Sequence, residues 1–163
     1  MNYTKGQMEN ILTLADNYGK QNTTCKKTAV GCYIVEESSW RRVLAKGANR
    51  GGISCKEAGC LREELFGDNS KEHRDTCRCV HSEINALSRV PEERKVCLKG
   101  ATAFVTRYPC ENCAKALVQA GIKGVVYGRP FEISEETKTL FEKNEVEVIH
   151  LADWNCDEND TNN

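Results

Sequence analysis

Ala101-Thr-Ala-Phe-Val-Thr-Arg-Tyr-Pro-Cys-Glu-Asn-Cys-Ala-Lys-Ala-Leu-Val-Gln-Ala-Gly-Ile-Lys-Gly-Val-Val-Tyr-Gly128 decides the fold. Ala101 to Thr106 is apolar and β-branched and reads as a strand, and Pro109 and Cys110 open a helix that runs to Ala120 and stops at Gly121. Gly124 to Gly128 is a second short apolar strand. A strand, a helix and a strand in that order predict a parallel pair with a crossover helix on one face. Downstream, Ser134 to Lys143 is an amphipathic helix with Ser134 as its N-cap, and Val146 to Leu151 is a last strand.

Upstream, Lys5 to Lys20 places Met8, Ile11, Leu12, Leu14, Ala15 and Tyr18 at mostly helical spacings. Thr28 to Val35 and Arg41 to Lys46 read as strands joined through a turn at Glu36 to Ser39, a hairpin. His81 to Val90 is a short helix stopped by Pro91. Between them, Gly47 to Val80 shows little periodicity and collects Cys55, Cys60, His73, Cys77 and Cys79 among charged residues. A loop that long is uncommon in a compact domain unless something ties it down. Together these predict an α/β fold around a mixed, largely parallel sheet, in one domain over residues 1–151. A Cys-rich insertion lies at about 50–80, and an acidic tail over 152–163 is expected to fray.

The chain has 163 residues, ten cysteines and a formal charge of −1, from 23 basic and 24 acidic side chains. That length suits one core and leaves no room for two full-sized domains. Near-neutral charge argues against a nucleic-acid polymer as the partner, since duplex binders carry a basic stripe. No apolar run approaches the roughly 20 residues of a membrane helix, and the polar start lacks a secretory signal, so a cytoplasmic location is expected. In a reducing compartment, clustered cysteines are metal ligands or catalytic groups more often than disulfides.

The chemistry concentrates in His81-Ser82-Glu83 and Pro109-Cys110-Glu111-Asn112-Cys113, each at the start of a predicted helix. One imidazole and two thiolates make three zinc ligands; structural zinc normally takes four, and catalytic zinc keeps a position open. Helix starts favour thiolates at Cys110 and Cys113. Glu83 would stand beside the open position without binding the metal and carry protons. A lone Cys-x-x-Cys could be a redox pair or half of a zinc ribbon. It is the conjunction with His-x-Glu that matches the zinc deaminase signature.

These stretches, with CKKTAVGCYIV, LAKGANRG and HSEINAL, resemble the cytidine deaminase superfamily, and most closely its deoxycytidylate (dCMP) deaminases, over about Lys5 to Leu151. The resemblance implies a three-layer α/β/α sandwich with a five-stranded mixed sheet and hydrolysis of dCMP to dUMP and ammonia. It makes His81, Cys110 and Cys113 the catalytic zinc ligands and Glu83 the proton shuttle. Asn49 would bind the sugar, the Ser82 backbone amide the pyrimidine carbonyl, and Tyr108 either the base or the core. Lys27, Arg50 and Arg107 are the cations placed to border the 5′-phosphate.

It also implies a homo-oligomer, hexamers being common in the group, and a second, structural zinc on Cys25, Cys55, His73 and Cys77. Cys60 rivals Cys55 in that set and Cys79 is an extra. Cys32 and Cys97 read as buried thiols and Cys156 as a tail residue. Two departures stand out. Serine replaces the commoner alanine between His81 and Glu83, and Gly47-Ala48-Asn49-Arg50 stands where nucleotide-regulated relatives carry Gly-Tyr-Asn-Gly. Rival readings are deamination of dCTP, deoxycytidine or a tRNA adenosine, and a non-enzymatic zinc-binding interaction module.

Overall fold

The computed structural model describes residues 1–37, 39, 41–67 and 76–152. Its elements are α1 (Lys5–Asn22), β1 (Gly31–Val35), β2 (Val43–Ala48), α2 (Cys55–Ala58), α3 (Leu61–Phe66), α4 (Ser82–Leu87), a 3-10 helix (Glu92–Leu98), β3 (Thr102–Arg107), α5 (Glu111–Gln119), β4 (Gly124–Arg129), α6 (Glu135–Lys143) and β5 (Glu147–His150). The strands form one sheet in the order β2-β1-β3-β4-β5. β1 runs antiparallel to both β2 and β3, while β3, β4 and β5 are parallel. This is the expected five-stranded mixed sheet.

The period of two along each strand sorts the core into two layers. Tyr33, Val35, Phe104 and Val126 face α1 and pack on Met8, Ile11, Leu12 and Ala15. Cys32, Ile34, Ala103, Val105, Val125 and Tyr127 face the other way, onto Ala86 of α4, Leu117 of α5 and Phe141 of α6. One helix on one face and three on the other give the three-layer sandwich. α1 starts with a capping box between Thr4 and Gln7, and the Ser134 hydroxyl caps α6 by accepting from the Thr137 amide.

Four local expectations change. β1 begins at Gly31 and not Thr28, because the Asn49 side chain takes the Val30 amide and the Thr28 carbonyl, at 2.8 and 2.9 Å. β2 spans Val43–Ala48, displaced by two residues from the expected Arg41 to Lys46. The insertion contains α2 and α3, both too short to show a period. The helix expected from His81 to Val90 is confined to α4, and past Pro91 the chain forms the 3-10 turn. The tail beyond Ala152, including Cys156, lies outside the described residues.

Candidate active site

α4 is pressed onto β2 at Gly47, where a Cβ would overlap the Ser82 carbonyl and the Ala86 amide. Asn85 ties the same region together, its amide donating to the carbonyls of Ala48 at 2.9 Å, Val80 at 3.0 Å and, more weakly, Arg50 at 3.3 Å. Backbone pairing of Arg50 with Val80 holds the segment entering His81 against the end of β2. On the other side, β3 delivers the chain through Tyr108 and Pro109 into α5, at the carboxyl end of the parallel strands where α/β folds place their ligands.

His81 and Cys110 are the N-cap residues of α4 and α5, and neither side chain makes a capping hydrogen bond. An ordinary cap would be worth about 1 kcal/mol at each place, so both positions forgo stability and turn their side chains elsewhere. They turn to each other. His81 Nδ1 lies 3.3 Å from Cys110 Sγ and 3.4 Å from Cys113 Sγ. Ligands about 2.0 and 2.3 Å from a tetrahedral zinc stand about 3.5 Å apart, so the spacing fits that ion. Among the described residues, this is the one group of three or more candidate ligands whose donor atoms all lie within 4.8 Å of one another.

The electrostatics suit a cation. The Cys113 thiol donates to Cys110, which with His81 alongside holds the Cys110 sulfur well below its ordinary pKa, and Cys113 is pushed up in turn. Glu83 is buried at 4% exposure, and burial raises its carboxyl above the usual range. Its own backbone amide, the charge of His81 and the Ser82 hydroxyl oppose that rise. A pocket of about 220 Å³ opens beside these groups, lined by Cys77, Cys79, Val80, His81, Ile84, Cys110, Asn112 and Cys113.

The remaining expected residues are dispersed. Asn49 is buried and braces the loop before β1, and its carbonyl accepts from the Thr23 hydroxyl at 2.8 Å. Lys27 pairs with Glu63 of α3 at 3.0 Å. Arg50 is exposed, and Arg107 lies over the Phe131 ring at 4.6 Å. Tyr108 does not line the pocket beside His81: its ring meets Tyr127 at 4.9 Å and Phe141 at 6.4 Å edge-on, and lines a separate cavity with residues of α6. Its place is in the core, where an aromatic ring gains most.

A second cluster lies at the insertion. Cys25, Cys55 and Cys79 are buried together with Cys77 against them, and Cys55 Sγ stands 3.7 Å from Cys79 Sγ. The Cys79 amide points at Cys77 Sγ, 3.4 Å away. Cys60 is buried at the start of α3, near enough to help push the Cys55 thiol up but outside the packed cluster. His73 lies outside the described residues, and Cys97 is half-buried, its thiol bonded to Glu36, and not buried as expected. The sequence reading names Cys79 only as an extra thiol and does not single out Asn85 or Asn112, which lines the pocket. A polar residue on the inward face of α4 was the available signal for Asn85.

Residues 5–129 match the family model described as the cytidine and deoxycytidylate deaminase zinc-binding region. ComE operon protein 2 of Bacillus subtilis is 35% identical over 130 residues, covering 77% of this chain and 61% of that protein. The deoxycytidylate deaminase of Schizosaccharomyces pombe is 35% identical over 125 residues, 75% of this chain and 37% of that one. The deoxycytidylate deaminase of phage T4 is 36% identical over 144 residues, 69% of this chain and 72% of that one. The chain thus spans under two thirds of the Bacillus and yeast relatives. Among solved structures, the dCMP deaminase of cyanophage S-TIM5, determined with dCMP and dUMP, superposes with a TM-score of 0.67 at 26% identity over 92% of this chain and 100% of that one. With the zinc-compatible triplet at the heart of the matched region, the chain belongs to the cytidine and deoxycytidylate deaminase zinc-binding family.

Proposed function

We propose that the protein hydrolyses the exocyclic amine of dCMP, yielding dUMP and ammonia. The observation that carries this reading is the triplet of His81, Cys110 and Cys113 with the buried Glu83 beside it, in a chain of this family. His81 through Nδ1, Cys110 and Cys113 would hold zinc; three protein ligands leave one coordination position for chemistry. The ion, when bound, supplies Lewis acidity that brings a water's pKa down to about 7. Glu83 moves the protons, from the water to the ring nitrogen and then to the departing amine. A carboxyl raised by burial is a stronger base than one in water, and so suits that task near neutrality.

The Ser82 amide holds the pyrimidine carbonyl. Asn49 gives one amide hydrogen to Thr28 and keeps its second for the sugar. At least one of Lys27, Arg50 and Arg107 meets the 5′-phosphate. The near-zero net charge supports a mononucleotide over a polymer. The enzyme works in the cytoplasm as a homo-oligomer; among the described residues no helix is long and apolar enough to cross a membrane.

A second, structural zinc belongs to the cysteine cluster. Two thiolates on a tetrahedral zinc lie about 3.8 Å apart, close to the 3.7 Å of Cys55 and Cys79. That favours Cys25, Cys55, Cys77 and Cys79 as the ligand set, with Cys79 in the place first given to His73 and Cys55 preferred over Cys60.

The test is ammonia release from dCMP, dCTP, deoxycytidine, cytosine and an adenosine-containing tRNA hairpin, with Glu83→Ala as control. Release from dCMP above the others supports the reading; preference for another substrate or no release refutes it. Metal analysis giving one zinc per chain in place of two refutes the second site.

A further inference from the structure

We infer that Ser82, through its side chain, is a positioning residue for Glu83; the assignment rests on the deaminase reading above. Neighbouring residues on a helix do not ordinarily face each other. Here they do: the Ser82 hydroxyl donates to Glu83 Oε2 at 2.9 Å, between side chains that are 0% and 4% exposed.

The geometry gives it a consequence. The last torsion of a glutamate is broad and roughly two-fold, so hydrogen bonds and not rotamer wells set the plane of the carboxylate. The hydroxyl on Oε2, together with the residue's own backbone amide, fixes the plane of the carboxylate at the first turn of α4. Ser82 touches no reacting atom with this group; it acts by presenting Glu83 in one orientation. Proton transfer is steep in geometry, so the gain falls on turnover and not on substrate binding.

Ser82→Ala, Glu83→Gln and the double variant, each loaded with zinc, form the test. Ser82→Ala is expected to lower kcat about tenfold, the size one hydrogen bond to a charged group commands, with KM for dCMP and zinc content unchanged. In the Glu83→Gln background the same change is expected to cost nothing further. In metal-free protein, the carboxylate infrared band that Glu83→Gln abolishes should shift in Ser82→Ala. An unmoved band, an unchanged kcat, or an equal loss in both backgrounds overturns the assignment. Wild-type protein inert on dCMP refutes the deaminase reading instead, and the infrared shift still decides whether Ser82 holds Glu83.

Discussion

The His81, Cys110 and Cys113 cluster and the Cys25, Cys55, Cys77 and Cys79 cluster both border one pocket, yet they are held by different means. The first stands on two helix starts fixed to the sheet, and its three donors lie within 4.8 Å of one another. The second joins the end of α1, the short α2 and the segment before His81, and no three of its sulfurs close to that extent among the described residues. Packing positions the first before any ion arrives. At the second, α2 has a single buried residue and α3 none, so an ion bound there would supply much of the order.

Glu83→Gln should have the largest effect, lowering turnover by at least about 10²- to 10⁴-fold at unchanged zinc content. The same variant should stabilise the metal-free protein at neutral pH. Because the folded carboxyl is raised above its unfolded value, folded chains hold its proton after unfolded ones release it, and stability falls as pH rises between the two values. Denaturant titrations should therefore show the gain at pH 7 and its disappearance below about pH 4.

Gly47→Ala comes next. A Cβ there must push α4 off β2, carrying His81 and Glu83 with it, so both midpoint temperature and kcat should drop, the latter about a hundredfold for a displacement near 1 Å. Cys79→Ser should lower zinc from two to one per chain and speed amide exchange in 50–67 and 76–80 while the sheet stays protected. That contrast breaks down if both clusters lose metal together. The smallest functional change belongs to Tyr108→Leu: stability should fall by about 1–3 kcal/mol with KM for dCMP unmoved, since the ring packs on Tyr127 and Phe141.

The second half of the fold was legible because each strand and helix there carries its own period, with breakers such as Gly121 and a cap at Ser134 between them. The clustering of His81, Cys110 and Cys113 was legible for a related reason: residue types and local spacing bring their donor atoms together once each helix start is recognised. The insertion resisted, since α2 and α3 are shorter than the repeat that would reveal them. Choosing among Cys55, Cys60, His73, Cys77 and Cys79 needs contacts between residues distant in sequence. Cys25 and Cys79 meet where the Thr24 to Asn49 and Arg50 to Val80 backbone bonds, with the Thr24 side chain, bring their segments together. Tyr108 was ambiguous for the same reason, as an aromatic before Pro-Cys serves a pocket or a core equally well until its neighbours are known.

Ammonia and dUMP formed from dCMP, followed in wild type and Glu83→Gln at matched zinc content, test the central claim most directly. Equimolar release by the wild type and almost none by the variant is the predicted result. Release that survives Glu83→Gln, or a zinc-loaded wild type that yields no ammonia, would contradict it.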